Sequence, residues 1–561
     1  MTRPFCKPFR PIAWIGILLI GMSGWANAQQ PPIQSAWRTG TLHQFQPMGW
    51  FQQELDVNLS GPLGHPDSLV DWQTDGLDLS RFPARFWPWW RSIIGYALME
   101  HNSTRKDIIH QQVKASQNAW MSSSSDWPAD PSMIHAWLDW AVYARDTSMI
   151  RTVHQSTANL LARWQDPAVY PPQGNPELLD LLFDLVQVSD RPSLREMLVH
   201  LATVPVEGTP LQQLYPKLMA WSMTGQHHYR QDVDRLMDDI NDGIQPGGIW
   251  SPSTAASSVG DEHSPCPPAD QLLLLNIYHR LLVLTGRAEY ADRAEQLALN
   301  GLAGFAHPEH PVWSRLCQVN TPADPDGSLR TTYTSGASPE EVACLSHLVA
   351  VHPELARHAW LQDSFGLVQP FFIPGEFNTR IHDRPVRITA TSEFPGDHRV
   401  HYIVQTDSLH TFRIKIRKPD WVKAITIDQP YRLEADFIVM EGPWTGFDEI
   451  DLVYVPSVTS HRTPKGERWF TFGPLVLTHP IPSTDTWTGS APETTLISQA
   501  AEATGYQLDP SAKARRAFGS NAGDLRFSVE ARNRSTGEPI SIRLAPMART
   551  TNRQTTFPFI R

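Results

Sequence analysis

Apolar residues recur at helical spacing through the first half of the chain and at strand spacing through much of the second. The first periodic stretch opens at Pro47-Met48-Gly49 and sets Trp50, Phe51, Leu55 and Leu59 on one helical face. A break at Gly61-Pro62-Leu63-Gly64-His65 follows. Further segments with helical period lie at residues 86–101, 106–120, 131–145, 148–164, 177–188, 194–203, 211–224, 229–240, 269–285 and 290–305. Short polar or proline-marked loops separate them, and no strand-like run intervenes. Roughly a dozen paired helices without a fixed-length repeat predict a closed helical toroid rather than an open superhelix. An irregular helical bundle would show the same local pattern.

Beyond about Ser364 the period changes. Segments at 386–391, 400–404, 411–416 and 450–455 are short, β-branched and bounded by Pro, Gly or Asp, and 475–477 follows the turn at Gly473-Pro474. Such segments predict an antiparallel β-sandwich. A more polar tail begins at Pro482 and carries two more strand candidates, 525–529 and 540–544, expected to complete the sandwich. The fold class is therefore α+β and multidomain, a helical toroid over residues 47–364 followed by sandwich over 365–481 and β-rich chain over 482–561.

The N-terminus changes the cellular picture. Lys7 and Arg10 precede an apolar run from Ile12 to Met22, and Ala26-Asn27-Ala28 is a small-x-small cleavage site. Residues 1–28 are expected to be an export signal and 29–46 a Pro- and Gln-rich arm. The apolar run is too short to span a bilayer, and no later segment is long and apolar enough. The mature chain is expected to be periplasmic or secreted, free of the membrane, with oligomeric state open. A net charge of −11 without a basic stripe argues against nucleic acid as a partner. The 21 tryptophans allow stacking on sugars, though most buried aromatics serve packing.

Candidate chemistry concentrates between Pro246 and Gly286. A glycine turn at Gly247-Gly248 leads to Gly260-Asp261-Glu262-His263, then Cys266, then an apolar helix from about Ala269. The start of that helix would favour a thiolate and a carboxylate. With Cys6 lost in the signal, Cys266, Cys317 and Cys344 remain, so at most one disulfide forms and one thiol is left over. A plain surface loop with Asp261 capping a turn has equal claim on these residues. No phosphate-binding loop, nucleophile elbow or dinucleotide fingerprint occurs.

Several stretches together resemble the β-L-arabinofuranosidases, glycoside hydrolase family 127 and its relatives. They are Pro47 to Leu55 with Gly61 to His65, the Gly260-Asp261-Glu262-His263 loop, and Leu284 to Asp292 with Ala298-Leu299-Asn300-Gly301-Leu302. Arg413 to Trp421 and Gly473-Pro474-Leu475-Val476 continue the series in order. The resemblance covers most of the mature chain. It implies an (α/α)6 toroid with β-sandwich material, and a retaining exo-glycosidase that releases L-arabinofuranose from plant or glycoprotein glycans. It also implies a cysteine nucleophile held on zinc and a glutamate acid/base.

Carried onto this chain, the resemblance makes Glu262 the proton donor and puts the family's nucleophile position at Ala343, which leaves Cys344 or a carboxylate as candidate nucleophile and Cys266 with Cys344 as candidate zinc ligands. It also exposes departures. The family's glutamate ligand position reads Ser264, and its pair of adjacent cysteines reads Ala343-Cys344. Three outcomes stay open: zinc held with His263 or His347 replacing lost ligands, a disulfide in place of the thiolates, or a silent site. Two functions follow: a glycoside hydrolase acting on a carbohydrate substrate, or a glycan-binding homologue without catalysis.

Overall fold

The computed structural model describes residues 35–60, 87–100, 103–122, 130–163, 174–189, 191–251, 264–324, 328–334, 339–490, 493–500, 505–517 and 525–560. The expected export signal and the Gly61–His65 break lie outside them, as do Asp261, Glu262 and His263. The chain divides into two compact units, His110–Leu236 and Ser35–Ile109 with Met237–Arg561.

The helices are α1 (Gly49–Ser60), α2 (Trp87–Met99), α3 (Ser103–Ser122), α4 (Pro131–Ala144), α5 (Thr147–Arg163), α6 (Pro176–Ser189) and α7 (Pro192–Thr203). They continue with α8 (Pro210–Thr224), α9 (His227–Asn241), α10 (Pro268–Thr285), α11 (Ala288–Gln296), α12 (Pro339–Val349) and α13 (Val351–His358). Proline opens α4, α6, α7, α8, α10 and α12, where its missing N–H costs nothing and its fixed φ suits the first turn. Asp130 caps α4 by accepting from the Ser132 N–H at 2.8 Å. Gly225 and Gly286 close α8 and α10 in the left-handed region. Periodicity placed α1 to α11 within a few residues. It missed α12 and α13, which are short; α12 starts at Pro339-Glu340-Glu341, and the helical pattern of α13 is interrupted near its start by Pro353.

In the first unit α6 packs against α4, α7 and α8, and α5 against α4. Its core includes Trp137, Trp140, Leu181, Leu182, Leu214 and Leu218. The Trp137 indole N–H donates to Ser116 Oγ at 2.7 Å and that of Trp140 to His110 Nδ1 at 2.8 Å. These tryptophans, with Trp87, Trp89, Trp90 and Trp360 in the second unit, are fully buried and serve packing. Trp487, 50% exposed, is the contrast.

The second unit carries the sheets. One six-stranded sheet runs Arg38–Thr39, Leu361–Gln362, Gly366–Gln369, Arg413–Arg417, Phe437–Glu441, Arg432–Glu434. A second runs Ala424–Ile427, Phe447–Val455, Arg399–Thr406, Arg384–Ser392, Gly375–Ile381, Phe45–Pro47. Pairing is antiparallel except between Gly366–Gln369 and Arg413–Arg417. Val386, Ile388 and Ala390 face the core while Arg387 and Thr391 face out, the alternation that marked this strand in the sequence. The two-residue turn His382-Asp383, with φ of 47° and 64°, sets the register Ile381↔Arg384. The arm before residue 47 thus supplies an edge strand to each sheet. The last strands, expected to complete the sandwich, lie in a third sheet with Val458–Arg462, Arg468–Phe472 and Leu475–Pro480. That sheet has its own core of Phe470, Phe472, Leu477, Phe527, Leu544 and Phe557. The hairpin Thr484–Ser490/Glu493–Ala500 pairs instead with Leu329–Thr334.

Candidate functional site

The glycine turn is held from several sides. Gly247 and Gly248 have φ of 90° and 73°, a region that a β-carbon disfavours. A β-carbon on Gly248 would also lie 3.0 Å from the Leu297 backbone nitrogen. Gln245 N–H donates to Ile249 O at 2.8 Å, and buried Gln271 of α10 both accepts from Trp250 N–H and donates to Trp250 O, each at 2.9 Å. The loop therefore leaves α10 at a fixed point. Its next residues, 252–263, include Glu262 and lie outside the described chain.

Cys266 re-enters just before α10. It is fully buried and pairs backbone to backbone with Cys317, N–H to O at 3.1 Å one way and 3.2 Å the other. Burial pushes its thiol well up, Cys317 and Asp270 add to this, and a bond from Ser251 opposes it. The expected thiolate at the helix start is thus overridden, because desolvation outweighs a partial helix charge. Cys317 is raised by burial against the pull of Arg553, whose Nη2 lies 3.3 Å from its sulfur. Cys344 sits on α12, which packs on α10, and is half-buried. Burial raises its thiol and Arg315 opposes the rise. His347, one turn on, is lowered by burial to about 4 and stays neutral. All three cysteines are free thiols.

Three groups of side chains could hold a metal ion among the described residues, and none contains a cysteine. They are His279 with Glu354 and His358, His307 with His310 and Asp485, and His135 with Asp139 and Asp184. Among the described residues, neither Cys266 nor Cys344 belongs to a group of three donors close enough together to share one ion. The signals available were the short spacings of Glu354 and His358, of His135 and Asp139, and of His307 and His310.

The family-like stretches meet in space. Asn300 lies in a wide π turn (Leu297–Leu302) after α11 and is fully buried. Its side chain accepts from Val476 N–H at 2.7 Å and donates to Pro474 O at 2.9 Å. Arg417, also fully buried, pairs with Asp292 and Glu295 of α11 and donates to Pro370 O at 2.6 Å. Trp421 donates to Glu295 at 3.3 Å.

Residues 366–454 match the middle domain of the GH127 β-L-arabinofuranosidases. No curated protein matches the sequence. Among solved structures, one described as a glycoside hydrolase superposes with a TM-score of 0.74 at 12% identity, covering 94% of this chain and 98% of that one. A GH127 β-L-arabinofuranosidase from Geobacillus stearothermophilus T6 gives 0.69 at 12%, covering 91% and 98%. A GH127 β-arabinofuranosidase gives 0.69 at 11%, covering 94% and 98%. The fold is a glycoside hydrolase fold, mixed in helix and largely antiparallel sheet. Residues 366–454 are thus similar to the GH127 middle domain, and the chain as a whole shares the fold of GH127 enzymes.

Proposed function

We propose that the protein is an exported, retaining, exo-acting glycosidase of the β-L-arabinofuranosidase type, working on plant or related glycans in the periplasm or outside the cell. The observation that carries this reading is the family match across 366–454, set in a chain that follows GH127 structures over most of its length. Residues 47–364 would form the toroid that holds the saccharide.

Glu262 takes the acid/base role. It protonates the leaving glycosidic oxygen while the Cys344 sulfur attacks the anomeric carbon. Water then displaces the sulfur, giving its proton to Glu262, and two displacements retain the anomeric configuration. Since burial favours the Cys344 thiol, its proton passes to solvent as the sulfur attacks, and the sulfur takes one back from solvent when water displaces it. Zinc on Cys266 and Cys344 would supply a ready thiolate.

The competing reading is a glycan-binding homologue without catalysis. It is favoured by Ser264 standing where the resemblance places a carboxylate ligand, and by three thiols held protonated. A panel of aryl glycosides, run on wild type and Glu262→Gln with zinc assayed alongside, separates the two. Hydrolysis of the β-L-arabinofuranoside, lost in the variant, supports the enzyme. Saccharide binding with no hydrolysis of any substrate supports the binder.

A further inference from the structure

Away from the cysteines, α10 and α13 bring His279, Glu354 and His358 together, one donor atom of each lying within 4.8 Å of the other two. Glu354 and His358 are four residues apart on one helix and so share a face. The His279 ring stacks on that of His358, with centroids 4.1 Å apart and planes 24° apart. Phe371 closes another side, edge-on at 5.3 Å.

His279 is the informative member. It is 1% exposed, and neither ring nitrogen has a hydrogen-bond partner among the described residues. A leucine or phenylalanine would fill such a core position without the cost of unmet polar atoms. A cation would satisfy the ring's lone pair. His358 is already oriented, its Nδ1 lying 2.8 Å from the Glu354 backbone carbonyl, the kind of bond that fixes a ligating ring. The Glu354 side chain is 19% exposed, so the cluster is reached from its side. Two imidazoles and a carboxylate, with one position left for water, form a tetrahedral zinc set.

We propose that His279, Glu354 and His358 bind a zinc ion that ties α10 to α13, at a site separate from Cys266 and Cys344. The ion offsets the buried imidazole and half-balances its own charge on Glu354. Its role is to hold the two helices together, and it does not depend on glycosidase activity.

The test uses full-length protein stripped with chelator and reloaded with zinc. Metal content after desalting, and zinc titration by calorimetry, should show about one equivalent in wild type and in a Cys266→Ser/Cys344→Ser variant. Glu354→Gln and His279→Gln should bind roughly 100-fold more weakly or worse, beyond the loss expected for an outer-shell partner. Zinc should raise the melting temperature of wild type but not of Glu354→Gln, whose metal-free melting temperature shows that it folds. The cobalt form should give tetrahedral d–d bands without a thiolate charge-transfer band. Undiminished zinc in Glu354→Gln, zinc that requires the cysteines, or no zinc in wild type would each overturn the proposal. Because the readouts are metal content and spectrum, a failure here is distinct from an inactive glycosidase.

Discussion

Asn300 and Val476, far apart in the chain, are joined by a hydrogen bond of 2.7 Å from the Val476 N–H to the Asn300 side-chain oxygen. The Asn300 amide returns a second bond to Pro474 O, so one buried side chain satisfies both backbone groups at the start of a strand. It thereby locks the turn after α11 to the third sheet.

Asn300→Ala should destabilise the protein by about 2–4 kcal/mol, since each buried backbone group left unmet costs about 1–3 kcal/mol. Urea denaturation should show a lower midpoint with an unchanged slope. A midpoint equal to wild type would mean that water or a local shift replaces the amide.

The cluster around Arg417 predicts a pH dependence. Burial raises Asp292 to about 6 and Glu295 to about 7, outweighing the attraction of Arg417. Both values lie above those of the unfolded chain, near 4. The stability these carboxyls contribute is complete below about pH 4 and is lost as pH rises through their folded values. The denaturation midpoint should therefore fall between about pH 4.5 and 7.5, and Glu295→Gln should flatten that slope. An identical slope in the variant would place the titration elsewhere.

The three thiols should differ in reactivity. Cys344 is half-buried, whereas Cys266 and Cys317 are fully enclosed. Timed alkylation of the native protein with mass mapping should label Cys344 first, and the other two only after unfolding. Early labelling at Cys266 would contradict its burial.

If Glu262 donates the proton, its loss should matter in proportion to how much the leaving group needs one. Glu262→Gln should lower kcat about 10²–10⁴-fold on a substrate with a poor leaving group. On an activated aryl glycoside the fall should be much smaller. Equal losses on both substrates would assign Glu262 to binding.

Much of this architecture is legible in the sequence because its causes are local. The helical stripe of α10, the proline starts and the Val386–Ala390 alternation each depend on neighbours a few residues away. Helices α12 and α13 escaped because only tertiary packing buries them. The same holds for the edge strands at Arg38–Thr39 and Phe45–Pro47, too short to carry a period of their own.

The chemistry divides along the same line. The ordered family-like motifs carried the resemblance to a glycosidase family, and that resemblance named Glu262, Cys266 and Cys344 as candidates. Only the folded chain could decide that Cys266 faces Cys317 as a protonated thiol, and that His279 meets Glu354 and His358. Burial and long-range proximity set those outcomes, and neither is a property of adjacent residues.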